Sequence, residues 1–168
     1  MIKKIAVGLV AAAAASTLAA SLPAAASAAT AASPTYDYQD WWGPYFSKYH
    51  LAKAEGKIKV NWHEYGEENS VHVYGKLWDL DKRTYGEGGK CAYVKFQVTY
   101  LGEDEYDWDQ VYAKKHCNYG TYKKFHFEED DVAKVRVKVC QFDPYKHYVT
   151  KCGKWDYLYS YEPHHEEH

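Results

Sequence analysis

Cys91-Ala92-Tyr93-Val94-Lys95-Phe96-Gln97-Val98-Thr99-Tyr100 is the stretch that decides the fold. Ala92, Val94, Phe96, Val98 and Tyr100 form one apolar row, and Cys91, Tyr93, Lys95, Gln97 and Thr99 face the other way. That period of two belongs to a strand buried on one face. Working outward, Ile58, Val60 and Trp62 alternate with Lys57, Lys59 and Asn61. Val71, Val73 and Leu77 share a face, with Gly75 where a fourth side chain would sit. Val135, Val137 and Val139 point opposite to Arg136, Lys138 and Cys140. Val111 to Cys117, Tyr122 to Phe127 and Trp155 to Tyr161 bring the expectation to about seven strands.

Turn chemistry separates these runs at Gly66, Gly86-Glu87-Gly88-Gly89, Gly102, Gly120, Asp143-Pro144 and Gly153. Short half-buried strands with local connections predict an all-β, antiparallel two-sheet sandwich of Ig-like architecture over residues 51–162. A small closed barrel is the alternative. No segment beyond the leader carries a helical stripe.

The first residues set the compartment. Met1-Ile2-Lys3-Lys4 is followed by an uncharged run from Ile5 to Leu22, then Pro23 and the A-x-A pattern Ala26-Ser27-Ala28. This predicts a signal peptide over 1–28 and a secreted protein, with no membrane association after cleavage; an anchor fits an Ala-rich run less well. Loss of Lys3 and Lys4 leaves 19 basic residues against 23 acidic ones. No strongly basic field remains for nucleic acid.

Four cysteines, Cys91, Cys117, Cys140 and Cys152, predict two disulfides in an exported chain. Three pairings are possible; Cys91–Cys117 and Cys140–Cys152 are favoured because they close local loops around adjacent strands. Structural zinc is disfavoured, since no C-x-x-C pair exists. Cys91 and Cys140 fall on the polar faces, so the bridges are expected on strand surfaces or edges rather than in the core.

Residues 29–50 read as an extended aromatic arm rather than a strand. Pro34 and Pro44 punctuate a run of Tyr36, Tyr38, Trp41, Trp42, Tyr45 and Phe46, which follow neither the helical nor the strand period. Such rings either pack on their own sandwich or dock on a partner, where Tyr and Trp are enriched at hot spots. Tyr157, Tyr159 and Tyr161 are candidates for a sugar-stacking face.

Catalytic patterns are missing from the sequence: no G-x-S-x-G elbow and no glycine loop opening a helix. No cofactor is expected. Asp79-x-Asp81 has too few ligands for calcium and reads as a turn. The tail 163–168, with His164, His165 and His168, is one residue short of H-E-x-x-H and reads as flexible, with no catalytic metal.

Gly75-Lys76-Leu77-Trp78-Asp79, Gly89-Lys90-Cys91-Ala92-Tyr93-Val94, Val135-Arg136-Val137-Lys138-Val139-Cys140 and Cys152-Gly153-Lys154-Trp155 carry a likeness. They resemble small exported actinobacterial two-disulfide β-sandwich proteins, which share G-x-L-x-D, C-A-Y-V, V-R-V-x-x-C and C-x-x-W motifs. The likeness spans roughly residues 52–157. With its aromatic segment ahead of the sandwich, the chain is also similar to the adaptor subunit of umbrella toxin particles. That resemblance implies a non-enzymatic adaptor joining a toxin-bearing subunit to a lectin subunit with a trypsin-like domain. It also implies that Tyr36 through Phe46 lie along that domain's cleft. Other small two-disulfide β proteins of the same bacteria inhibit amylases or subtilisins; this chain lacks their Trp-Arg-Tyr triplet and is longer. A secreted hydrolase inhibitor and a carbohydrate- or wall-binding module are therefore the alternatives.

Overall fold

The computed structural model describes residues 37–63 and 67–161. Residues 1–28, where a leader is expected, Tyr36, the turn expected at Gly66 and the His-rich tail lie outside the described residues. Nine strands run in order: β1 Tyr38–Phe46, β2 Ala52–Trp62, β3 Asn69–Asp79, β4 Cys91–Tyr100, β5 Asp109–His116, β6 Tyr122–Asp130, β7 Val132–Asp143, β8 Tyr148–Thr150 and β9 Asp156–Ser160. One sheet has the order β1-β2-β3-β6 and the other β5-β4-β7-β8, with β9 also paired to β7. Every pairing between these strands is antiparallel. This is the two-sheet sandwich that the period-two rows predict. Its likeness to the immunoglobulin sandwich is one of architecture; the second and third strands form a hairpin within one sheet here, whereas the immunoglobulin order separates them.

The inward rows meet between the sheets. Ile58, Val60, Val71, Val73, Leu77, Ala92, Val94, Phe96, Val98, Val135, Val137 and Val139 are all buried. β-Branched residues suit this setting because their restricted χ1 fits a pleated surface, and burying each side chain contributes about 1.5–3 kcal/mol. Phe96 of β4 reaches across to Phe125 and Phe127 of β6, at centroid distances of 5.5 and 4.9 Å. Tyr112 of β5 stacks on Phe127 at 4.8 Å. A polar link fastens the sheets at one end. Asn69, fully buried, donates to the Val132 carbonyl and accepts from the Val132 N–H, both at 2.9 Å.

Two expectations are corrected. Residues 38–46 are not a free arm; they form the edge strand β1 on β2. The physical reason is a bulge. Trp42 pairs with Gly56 and the next partnered residue, Tyr45, pairs with Ala54, so β1 carries one residue more than its partner. The extra residue, at Gly43 (φ +84°) and Pro44, reverses the parity of the remaining strand. Tyr38 and Trp42 before it, and Tyr45 after it, therefore all pack on the core, which no single period describes. The strand count also exceeds seven, because β1 and the three-residue β8 were not legible as strands.

The disulfides join Cys91 to Cys117 and Cys140 to Cys152. Neither bridge belongs to the central apolar cluster. Cys91 and Cys140 are themselves fully covered, but Cys117 is exposed and Cys152 half-buried, so the bridges lie outside the core, as expected from the polar strand faces that carry Cys91 and Cys140. Tyr85 covers the first, its hydroxyl 3.1 Å from Cys91 Sγ.

Candidate binding face

The outward residues of β1, β2, β3 and β6 compose one face. Register aligns Trp41, Lys57, Tyr74 and His126 in a row across the four strands. Glu55, Lys76 and Lys124 form the next outward row. Between them runs Trp42, Gly56, Gly75 and Phe125, an inward-facing row that shows only its backbone to the outside. The result is a trough of about 710 Å³ lined by both ridges, with Lys59 at its side.

The glycines explain why the trough has this floor. A Cβ on Gly56 would stand 1.9 Å from the Tyr74 carbonyl oxygen, and one on Gly75 would stand 2.3 Å from Phe125 Cζ. Trp42 and Phe125 occupy the inner side that these two residues vacate. Trp42 is only 4% exposed and meets Phe96 edge-on at 5.8 Å. Its neighbour Trp41, one residue away, is 76% exposed.

Cations cover the aromatic rings of this face. Lys57 Nζ lies 5.6 Å from the Trp41 ring, and Lys53 Nζ 3.9 Å from Trp78. Lys76 Nζ lies 4.9 Å from Tyr122, and Tyr74 carries His126 stacked at 4.2 Å with Lys59 Nζ at 5.7 Å. The rings thus hold lysines in place through their quadrupoles. Glu55 pairs with Lys53 at 3.5 Å, whereas Lys57, Lys76 and Lys124 form no ion pair among the described residues.

The six aromatic candidates separate by position. Trp41 alone of them stands free on the outer face. Trp42 is a core residue, which corrects its assignment as a docking anchor. Tyr45 stacks on Trp42 at 6.2 Å, Tyr38 packs against Tyr159 at 5.5 Å, and Phe46 stacks on His50 at 4.6 Å; all three are half-buried. Tyr36 lies outside the described residues. The sugar-face candidates do not assemble, because Tyr159 is buried and Tyr161 is tilted on Trp62 at 4.7 Å, leaving only Tyr157 of the three exposed. The contribution of Lys76 and Lys124 was hidden from sequence reasoning, since they meet only through the β3–β6 pairing. The one signal in the sequence was the outward phase of Lys76 beside Gly75.

Asp79 and Asp81 are both buried. Asp81 accepts from Arg83 Nε and Nη2 at 2.8 Å each, from Gln141 Nε2 at 2.9 Å and from the Lys90 N–H at 3.1 Å. Burial raises its pKa, but the hydrogen bonds from Arg83, Gln141 and the backbone outweigh that and hold it at about 2. Burial pushes Asp79 up to about 6, opposed by the N–H of Asp81 and assisted by the Asp81 charge. The pair tethers the turn ahead of β4 to β7, in keeping with the turn expected at Asp79-x-Asp81. Among the described residues no His, Cys, Asp or Glu cluster has the make-up of a metal site, and no helix is long and apolar enough to cross a membrane. Comparison with protein-family models, curated proteins and solved structures gives no match.

Proposed function

We propose that this chain is a secreted, non-enzymatic adaptor that docks a larger protein on the β1-β2-β3-β6 face, with Trp41 as the anchor. The observation that carries the reading is the exposed Trp41 beside a trough whose walls present Lys57, Lys76 and Lys124, which have no ionic partners among the described residues. A large exposed indole ringed by polar groups beside an apolar-floored trough is the usual make-up of an interface hot spot. Apart from Trp41, the rings of this face are already covered by Lys and His and offer no row of vacant stacking surfaces, which favours a charged protein partner over a neutral sugar.

The finer reading, that the adaptor links subunits of a secreted toxin particle in an actinobacterial producer, rests on the motif resemblance. In that reading the residues ahead of β1, including Tyr36, serve a second partner, a lectin subunit with a trypsin-like domain. The sandwich itself holds the toxin-bearing subunit.

Affinity purification of the tagged protein from its native culture tests this. Deleting residues 29–50 would remove β1 and take Trp42 out of the core, so it would report unfolding. The informative variants are Trp41→Ala and a deletion of residues 29–36. Large secreted proteins retained by the wild type and lost with Trp41→Ala support the adaptor. Recovery of the chain alone in every case refutes it and redirects attention to hydrolase inhibition.

A further inference from the structure

The outer face of the second sheet carries a cluster that the adaptor reading does not use. Lys95 of β4 stands directly opposite Lys138 of β7, and the next outward pair along the strands is Gln97 opposite Arg136. Opposed residues on an antiparallel pair have Cβ atoms about 5 Å apart, and like charges so placed repel. All three cations converge on one indole. Arg136 Cζ lies 4.4 Å, Lys138 Nζ 4.6 Å and Lys95 Nζ 5.2 Å from the Trp155 ring centre. Arg136 also lies 3.7 Å over Trp108.

Among the described residues no anion answers this charge. Arg136 donates through Nε and Nη2 to Gln97 Oε1 at 3.0 and 2.8 Å, a neutral acceptor. The nearby carboxylates are engaged elsewhere: Glu105 with Lys134 at 2.8 Å and Asp156 with Lys154 at 3.2 Å. Lys95, Arg136 and Lys138 form no ion pair among the described residues. Burial, then the charges of Lys95 and Arg136, hold the Lys138 ammonium below the usual lysine range. All three side chains are half-buried, so water screens the repulsion only in part. Cation–π attraction to Trp155 and Trp108 holds the cations in place but leaves their net charge uncompensated.

We propose that Lys95, Arg136 and Lys138 form a binding site for a phosphate or sulfate group, seated beside Trp155. Two ammonium groups and the free N–H edge of a guanidinium supply more donors than a carboxylate can use, and a dianion with three or four oxygens matches them. Gln97 and Trp108 fix the guanidinium, so the site is organised before the anion arrives. The group is either a free ion or an ester on a larger molecule.

Titration of the purified protein with sodium sulfate and inorganic phosphate, against sodium chloride at equal ionic strength, tests the site. Tryptophan fluorescence and thermal midpoint are the readouts. The expected result is a saturable response to sulfate or phosphate, absent with chloride, and weakened at least tenfold in Lys95→Gln and Lys138→Gln. Both variants should remain folded, because each relieves a like-charge contact. Lys82→Gln, at an exposed position outside both sheets, should titrate as the wild type. Dextran sulfate separates the two sources: binding much tighter than that of sulfate, with the same sensitivity to Lys138→Gln, assigns an ester on a polymer, and equal binding per sulfate assigns the free ion. Chloride matching sulfate, or both lysine variants responding like the wild type, would overturn the proposal.

Discussion

Gly56 lies directly opposite Gly75 across the β2–β3 pair, and Trp42 Cζ2 is 2.8 Å from where a Cβ on either residue would stand. The indole therefore needs both glycines. Gly75→Ala forces Phe125 and Trp42 apart and is expected to destabilise by about 1–3 kcal/mol, as overpacked cores do. Gly56→Ala meets the backbone of Tyr74 and Gly75 as well as the Trp42 side chain and should cost more. Trp42→Ala leaves the space above both glycines empty and should cost about 3–5 kcal/mol. Urea unfolding followed by circular dichroism measures all three.

Trp41→Ala is the contrasting substitution. The ring is exposed and outside the core, so stability should change by no more than about 0.5 kcal/mol. Partner retention should fall by about 30-fold or more, the effect of removing an aromatic hot spot worth about 2–4 kcal/mol. A Trp41→Ala protein that binds as the wild type removes the anchor from the proposed interface.

Three aspartates set the pH dependence. Asp79 has its folded pKa raised to about 6 from 3.8, so the fold favours its protonated form and stability rises as pH falls from 6 towards 4. Asp81, and Asp143 held down by Lys90, sit at about 2, so the stability they contribute above pH 4 is lost as pH falls towards 2. His116, lowered by burial and by Lys123, works against the gain from Asp79 near neutrality. Asp79→Asn isolates the first effect, since the amide oxygen can still accept from the Asp81 N–H. Thermal midpoints between pH 3 and pH 8 should show the variant more stable than the wild type at pH 7, the gap closing by pH 4. A constant gap would contradict the assignment.

The two disulfides should contribute unequally. Cys91–Cys117 closes 26 residues and Cys140–Cys152 closes 12. Chain-entropy arguments make the longer closure more stabilising by about 0.7 kcal/mol, on a base of about 2–4 kcal/mol each. Unfolding of the paired Cys→Ala variants checks the order, and peptide mapping without reduction checks the connectivity.

The inward rows of β2, β3, β4 and β7 were legible because each keeps strict alternation over its length, and a residue such as Val94 or Val137 declares its face two positions at a time. β1 was not, because its bulge places Trp42 and Tyr45 on the same side at odd spacing. β8 is three residues long, too short for any period to register. The trough escaped for a different reason: Lys76 and Lys124 are 48 positions apart, and only sheet pairing makes them neighbours. Likewise, the outward phase of Cys91 and Cys140 is plain in the sequence, but the cover that buries them comes from loops with no periodic signal.

Trp41 and Trp42 are the same residue type in adjacent positions with opposite duties, and nothing but strand phase tells them apart. Side chains alternate with a period of two, so sliding β1 by one residue along β2 would exchange their places. The exchanged strand would still show water one tryptophan and bury the other, so the two indoles by themselves do not choose between the alignments. The choice falls to fixed points further along the strand: the partner position at which Trp42 meets Gly56, and the extra residue that lets Tyr45 fold inward after it. Misaligned β1 is thus the near-degenerate competitor that this chain must avoid, and the segment at Gly43 and Pro44 acts as its alignment key.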